Sequence, residues 1–431
     1  MDAWHFLALP GPPGTPQAAH KPREQKNIKL MKLLLFANTD WYIYNFRRSL
    51  ALGAKAAGHD VLLVSPDGPY GQKLTELGIR WIPAPMQRRS LNPLRELALC
   101  FWLWRLVRTE RVDVVHSFTI KCAVYGGLAA RFAGAARVNS VAGMGYVFIG
   151  DESLARKLRP IVWALLRVAL AGVRTRLILQ NLDDIAIFEK SGIASGMQIR
   201  LIPGSGVDCG RFQPPAEGER SGPLRVVLAA RMLWDKGVRE FVEAARMLKL
   251  QGRPLRFQLA GGPDPGNPAS IPESVLRDWQ ASGLVDWLGH VDDMPALLAS
   301  ADIVVLPSYR EGLPKSLIEA AACARPLVTT DVPGCREVVT DGINGLIVPV
   351  RDAFALAQAI ARLQDEPSFA RRLGEAARVK ALAEYDERRI VSRVLHVYSE
   401  LLGDSKCTEL AWQGGGRKDG SRSEPNKHNY D

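Results

Sequence analysis

The stretch "DIVVLPSYREGLPKSLIEA", residues 302–320, decides the fold. It joins an apolar run, a short polar loop and a helical pattern. The run Ile303–Leu306 is apolar without alternation, as expected of a strand covered by helices on both faces of a parallel sheet. Gly312 permits a close backbone approach, and Pro314 fits a first helical turn. The spacing therefore predicts strand, loop and a helix over 315–323. Two acids flank the break. In one unbroken helix, Glu311 and Glu319 would stand about 80° apart around the axis. The Gly-Leu-Pro break instead leaves Glu311 ahead of the helix and Glu319 one turn inside it. A helix N-terminus offers free N–H groups to an anion, and a diphosphate fits them. Carboxylates accept bidentate hydrogen bonds from sugar diols. Two surface glutamates would give the same bare spacing, so the flanking sequence has to decide.

Similar units recur on both sides. The first half carries strand-like runs at 32–37, 60–65, 112–117, 136–142 and 176–181, and the second half at 224–230, 255–261, 302–307, 325–330 and 344–349. Helical patterns such as "VREFVEAARMLKL" (238–250) lie between them. This is βαβ repeated, twice over. The predicted fold class is α/β, with two doubly wound Rossmann-like domains facing a cleft. The first domain is placed at 31–203, a Gly/Pro/Ser-rich linker at 204–223 and the second domain at 224–402. A long amphipathic helix at 367–402 is expected to cross back onto the first domain. Residues 1–30 read as a disordered leader or a start set too early, with Met31 opening the first strand. Residues 403–431 read as a disordered tail.

The 431 residues exceed one ordinary core, and the 47% hydrophobic content can fill two. The net charge is +11, and it is concentrated. Residues 31–200 hold 23 Lys and Arg against 12 Asp and Glu, which is +11 for that region alone. An anionic partner or a solvated basic surface would each account for it. Six scattered cysteines form no C-x-x-C pair and no zinc spacing, which suits a reducing compartment. No run is long enough to cross a bilayer. The segments "LALCFWLWRLVR" (97–108) and "LRPIVWALLRVALAGVRTRL" (158–177) mix Trp with Arg. Both could lie in a membrane interface, with Trp102 and Trp104 toward lipid, or could face the core with snorkelling arginines.

The second domain opens with a strand followed at once by "ARMLWDKG", which puts Arg231 and Lys236 at a strand end. Two cations and a helix N-terminus could clamp one diphosphate. The chain resembles a family 4 retaining glycosyltransferase of the GT-B fold. The resemblance runs over about 31–402. It rests on "ARMLWDKG", "LAGG", the run from "WLGHVDDM" to "PGCREVV" and "DGINGLIVP", and less specifically on 38–66 and 113–131. The branch it points to builds capsule, O-antigen and other lipid-linked glycans.

The resemblance implies roles. Glu311 would contact the donor sugar and Glu319 the ribose, with Arg231 and Lys236 on the diphosphate. Gly261 of "LAGG" would lie on the donor side. The backbone of Gly312, Leu313 and Pro314 would line the sugar pocket, amides near Ser316 and Leu317 would meet a phosphate, and His290 and Val291 would border the base. Where many members carry a His-Gly pair, this chain has Ala142 and Gly143. Asp40, Tyr44, Asn45, His116 and Gly143 are the acceptor-side candidates, with a packed aromatic loop as the other reading of the first three.

The implied reaction moves a hexose or N-acetylhexosamine from a UDP-sugar to a polyprenyl-diphosphate-linked saccharide at the cytoplasmic membrane face. No D-x-D sequence occurs, so no metal or other cofactor is required, and no nucleic-acid module is present. A nucleotide-sugar epimerase or a non-catalytic sugar-nucleotide-binding protein would share the fold. The intact Arg231, Lys236, Glu311 and Glu319 speak against the second.

Overall fold

A computed structural model describes residues 30–87, 90, 92–141, 153–215 and 222–403. The expectations for the leader, the tail, Ala142 and Gly143 fall outside them. The first sheet comprises β1 (Lys32–Phe36), β2 (Asp60–Ser65), β3 (Arg80–Pro83), β4 (Val114–Phe118), β5 (Ala136–Ser140), β6 (Thr175–Leu179) and β7 (Ile199–Leu201). Their order is β3-β2-β1-β4-β5-β6-β7, and every pairing is parallel. The second sheet comprises β8 (Leu224–Ala229), β9 (Leu255–Ala260), β10 (Asp286–Gly289), β11 (Ile303–Leu306), β12 (Leu327–Thr330) and β13 (Leu346–Val348). Their order is β10-β9-β8-β11-β12-β13, again all parallel.

Helices cover both faces of each sheet, which explains the unbroken apolar runs. In β1, Leu33 and Leu35 enter one core while Leu34 and Phe36 enter the core on the opposite face. Each such burial is worth about 1.5–3 kcal/mol. Three strands escaped the sequence reading: β3, β7 and β10. All three are sheet-edge strands, and each is only partly buried. An edge strand half open to solvent loses the continuous apolar signature of its neighbours.

Two further expectations are corrected. Residues 367–402 are not one helix. A helix Pro367–Lys380 runs into a π-helical turn at Ala381–Tyr385, and a second helix, Glu387–Leu401, follows. Asp386 breaks the run with extended backbone (φ −58°, ψ 128°), and its carboxylate accepts from the Arg388 N–H at 2.9 Å. The break is paired to the linker: Val207 N–H donates to the Tyr385 carbonyl, and Glu387 N–H donates to the Val207 carbonyl. The two chain crossings between the domains are thus bound to each other. The Glu387–Leu401 helix then packs Ile390, Val394, Val397 and Tyr398 on the first domain, the spacing of one apolar stripe. Residues 158–177 are likewise not one segment, since helix Ser153–Leu170 ends there and β6 begins at Thr175. Among the described residues no helix is long and apolar enough to cross a membrane.

Candidate active site

In a doubly wound sheet, ligands bind outside the carboxyl ends of the strands where the strand order reverses. The second sheet reverses between β8 and β11. The segments leaving those two ends are Ala230–Lys236 and Pro307–Pro314. The topology therefore brings together the two motifs that the sequence singles out.

The two loops are stitched by backbone. Tyr309 N–H donates to the Asp235 carbonyl at 2.8 Å, and the Ser308 hydroxyl donates to the same carbonyl at 3.0 Å. Gly237 has φ +70°, and a Cβ there would stand 2.0 Å from the Pro307 carbonyl oxygen. Lys236 is thereby aimed across the crevice, and its Nζ meets Glu311 Oε1 at 2.5 Å. The pair is mostly buried, with side chains 15% and 12% exposed. Arg231 lies on the same rim but is not joined to this pair. It is 54% exposed and bound to Asp264 at 2.6 Å. Gly261 packs the neighbouring strand end. Its φ is +141°, and a Cβ would lie 1.8 Å from the Ala230 carbonyl oxygen, so no other residue fits.

Past Glu311, the Gly312 carbonyl accepts from Asn181 Nδ2 at 2.8 Å. Gly334 (φ +80°) packs against the Glu311 and Gly312 carbonyls with no room for a Cβ. Pro314 is the N-cap of helix Lys315–Ala322, one position ahead of the first helical turn. No side chain caps that helix, so the amides of Ser316 and Leu317 face the crevice without an intrahelical partner. His290 and Val291 follow the edge strand β10 on the outer side of the crevice. His290 is exposed and sits 3.3 Å from Asp292.

Glu319 lies one turn in, mostly buried, with Lys315 Nζ 3.7 Å away. Burial raises its carboxyl above the usual range, while Lys315 and Arg211 only partly oppose that shift. The folded state therefore holds the proton to higher pH than the unfolded chain does, so this group costs stability as pH rises through that window. Glu319→Gln is expected to raise the unfolding temperature at pH 7 by about 1–3 °C, an advantage that shrinks as the pH falls toward about 4. A pH series of thermal melts checks it, and a lower melting temperature for the variant at pH 7 would contradict it.

The first-domain candidates divide. Asn45 reaches the site through its backbone carbonyl, which accepts from Lys315 Nζ at 3.0 Å, while its side-chain amide donates to the Trp41 carbonyl. Tyr44 stacks at a tilt on Tyr70 with Arg48 above it, which is the packed aromatic loop. Asp40 is buried, and its two oxygens accept the N–H groups of Trp41 and Tyr70 at 2.8 and 2.6 Å. Both oxygens are engaged in fixing the backbone, one of them at the loop that leads to Tyr70. His116 is corrected too. It is fully buried between the hydroxyls of Tyr398 (2.6 Å) and Ser140 (2.7 Å). Burial first, and then Arg47, lower its pKa well below the ordinary imidazole value. It is a neutral ring that docks the returning helix.

The sequence reading missed four contributors. Lys315 touches both domains, with Glu319 and Asn45 as partners and the Phe46 ring 5.0 Å away. Asn181 caps its own helix through Asp184 N–H (2.7 Å) while holding Gly312. Arg47 is buried against Tyr42 and Phe118. Gln180 joins Arg47, Phe46, Leu313, Lys315 and Gly204 around a cavity of about 90 Å³ at the domain junction. Only the N-cap pattern of "QNLDD" could have flagged Asn181. The others acquire their place through tertiary contacts.

Residues 223–366 match the family described as Glycosyl transferases group 1, and residues 44–180 match the Glycosyl transferase 4-like domain. The N,N'-diacetylbacillosaminyl-diphospho-undecaprenol alpha-1,3-N-acetylgalactosaminyltransferase of Campylobacter jejuni is 30% identical over 385 residues, 86% of this chain and 99% of the relative. An Escherichia coli UDP-Gal:alpha-D-GlcNAc-diphosphoundecaprenol alpha-1,3-galactosyltransferase is 25% identical over 318 residues, 71% of this chain and 80% of the relative. A solved glycosyltransferase from Rickettsia africae superposes with a TM-score of 0.73 at 19% identity, covering 88% of this chain and all of that one. The chain belongs to the GT-B glycosyltransferases of this group 1/4 type, and it is a hexosyltransferase.

Proposed function

We propose that the chain transfers a hexose or N-acetylhexosamine from a UDP-sugar, with retention, to a polyprenyl-diphosphate-linked saccharide in surface polysaccharide biosynthesis. The observation that carries this is the Lys236–Glu311 pair, held at the β8/β11 reversal in front of an uncapped helix N-terminus. The two relatives named above act on undecaprenyl-diphosphate-linked sugars by their own descriptions, and one of them uses UDP-Gal.

In this reading the donor diphosphate lies against Lys236, Arg231 and the amides of Ser316 and Leu317. As the anomeric C–O bond breaks, charge builds on the leaving diphosphate, and these preorganised donors stabilise it. No metal is needed, because cations and a helix dipole already face the charge. Lys236 turns from Glu311 toward phosphate when the donor enters, which frees Glu311 for the sugar hydroxyls. Glu319 takes the ribose diol, and Gly261, His290 and Val291 border the nucleoside. Calorimetry with UDP tests the division. Glu319→Ala is expected to weaken UDP binding, while Glu311→Ala spares it and lowers transfer. Equal losses of UDP affinity would overturn the assignment.

In this reading the enzyme works at the cytoplasmic face of the plasma membrane, bound peripherally. Helix Pro93–Thr109 supports this with a correction to the sequence expectation. Trp102 and Trp104 pack on the core, whereas Leu94, Leu97 and Phe101 are exposed beside Arg105 and Arg108. A basic helix with an exposed apolar stripe suits an anionic interface. Leu97→Ser with Phe101→Ser is expected to remove the salt-resistant part of binding to anionic vesicles, while Trp102→Ser destabilises the fold instead. Unchanged vesicle binding by the double variant would remove this helix from the contact.

A further inference from the structure

The first domain gathers a second basic centre at the amino-terminal edge of its sheet, opposite the cleft. Arg131 comes from the last turn of helix Ile120–Ala133, Arg137 is the second residue of β5, and Arg174 directly precedes β6. Strand pairing places Arg137 beside Thr175. Arg131 and Arg137 both donate to the Ala171 carbonyl, at 2.7 and 2.6 Å, and Arg174 donates to the Gly134 carbonyl at 2.9 Å. Two guanidinium groups thus converge on one oxygen. No carboxylate among the described residues pairs with any of the three.

The charges do not balance. Two helices end here, Ile120–Ala133 and Ser153–Leu170, and each C-terminus supplies roughly half a negative charge. Against three guanidinium ions, that leaves an excess of about two positive charges. Capping two helix ends would not need three arginines. Arg137 shows the strain: it is 6% exposed, and its Nε has no hydrogen-bond partner. Burial, with Arg131 and Arg174 adding to it, pulls its pKa down to about 10. Arg131 and Arg174 are exposed, and Gly172 presents no side chain over a terminal nitrogen of the otherwise buried Arg137.

We propose that Arg131, Arg137 and Arg174 form a binding site for a phosphate group, separate from the donor cleft. A phosphate monoester carries about −1.5 to −2 at neutral pH, which matches the unbalanced charge, and planar guanidinium forks bind such oxygens in bidentate fashion. A lipid headgroup or a free phosphate compound would supply the same chemistry. The exposed apolar residues Phe132 and Val173 flank the arginines, an arrangement that accommodates a headgroup.

The test uses the full chain, titrated calorimetrically with inorganic phosphate at low salt, and floated with phosphatidic acid vesicles against phosphatidylcholine vesicles. Arg131→Gln and Arg174→Gln are the main variants because both side chains are exposed and leave the core intact. Arg137→Gln is added with its thermal melt recorded. Phosphate held in the donor cleft is common to all proteins, so the difference from wild type isolates this site. At least a tenfold loss in phosphate affinity is expected with a soluble ligand, or a matching loss of phosphatidic acid vesicle binding with a headgroup. Transfer to a soluble acceptor stays unchanged in Arg131→Gln and Arg174→Gln, which keeps this outcome apart from the donor-site reading. Wild type and both exposed variants behaving alike in both assays would overturn the proposal.

Discussion

Lys236→Ala is expected to lower turnover by about 10²-fold or more, the usual cost of losing one preorganised donor to a developing anion. Its effect on stability is expected to be equally distinctive. Lys236 and Glu311 are mostly buried together, so removing the cation strands a partly desolvated carboxylate in the crevice, at a cost of about 1–3 kcal/mol. Replacing both, as Lys236→Met with Glu311→Leu, restores most of that stability, because a well-packed apolar pair does not pay desolvation. Activity stays lost in the double variant. Thermal melts and initial rates on wild type, single and double variants read both effects. A single variant that is fully stable and fully active would remove the pair from the mechanism.

Arg231→Ala is expected to behave differently. Turnover again falls by about 10²-fold, for the same electrostatic reason. Stability barely moves, since Arg231 is half exposed and surface ion pairs contribute about 0–1 kcal/mol. Its partner Asp264 remains at the rim, so the variant also leaves an anion where a cation had faced the diphosphate. Higher salt screens that partly exposed carboxylate and recovers part of the loss. Normal turnover in a well-folded Arg231→Ala protein would contradict the assigned role.

The sequence and the structure agree where physics acts locally. The central strands were legible because burial on both faces favours apolar runs without alternation, as in β1 and β11. The edge strands β3, β7 and β10 were not, because half their surface meets water and the pattern dissolves. The break at Asp386 has neither Gly nor Pro to mark it. It is imposed by pairing with Val207, some 180 residues earlier. In the crevice, Arg231, Lys236, Glu311 and Glu319 could be named from chain position alone, since strand ends are fixed by the βα pattern. Lys315 and Asn181 could not, because Asn45 and Gly312 reach them from the other domain, and Arg47 could not, because Phe118 comes to it from strand β4. His116, in the middle of β4, and Asp40, past the end of β1, misled for the converse reason: the internal hydrogen bonds that occupy them are invisible in the sequence.

The purified full chain is incubated with radiolabelled UDP-GalNAc, UDP-GlcNAc, UDP-Gal or UDP-Glc and a polyprenyl-diphosphate-linked saccharide, and the lipid-extractable product is analysed. Label from at least one donor is expected to enter the lipid-linked saccharide with retained anomeric configuration, and Lys236→Ala abolishes it. An isomerised or hydrolysed UDP-sugar, with no sugar reaching any lipid-linked acceptor, would contradict the proposed reaction.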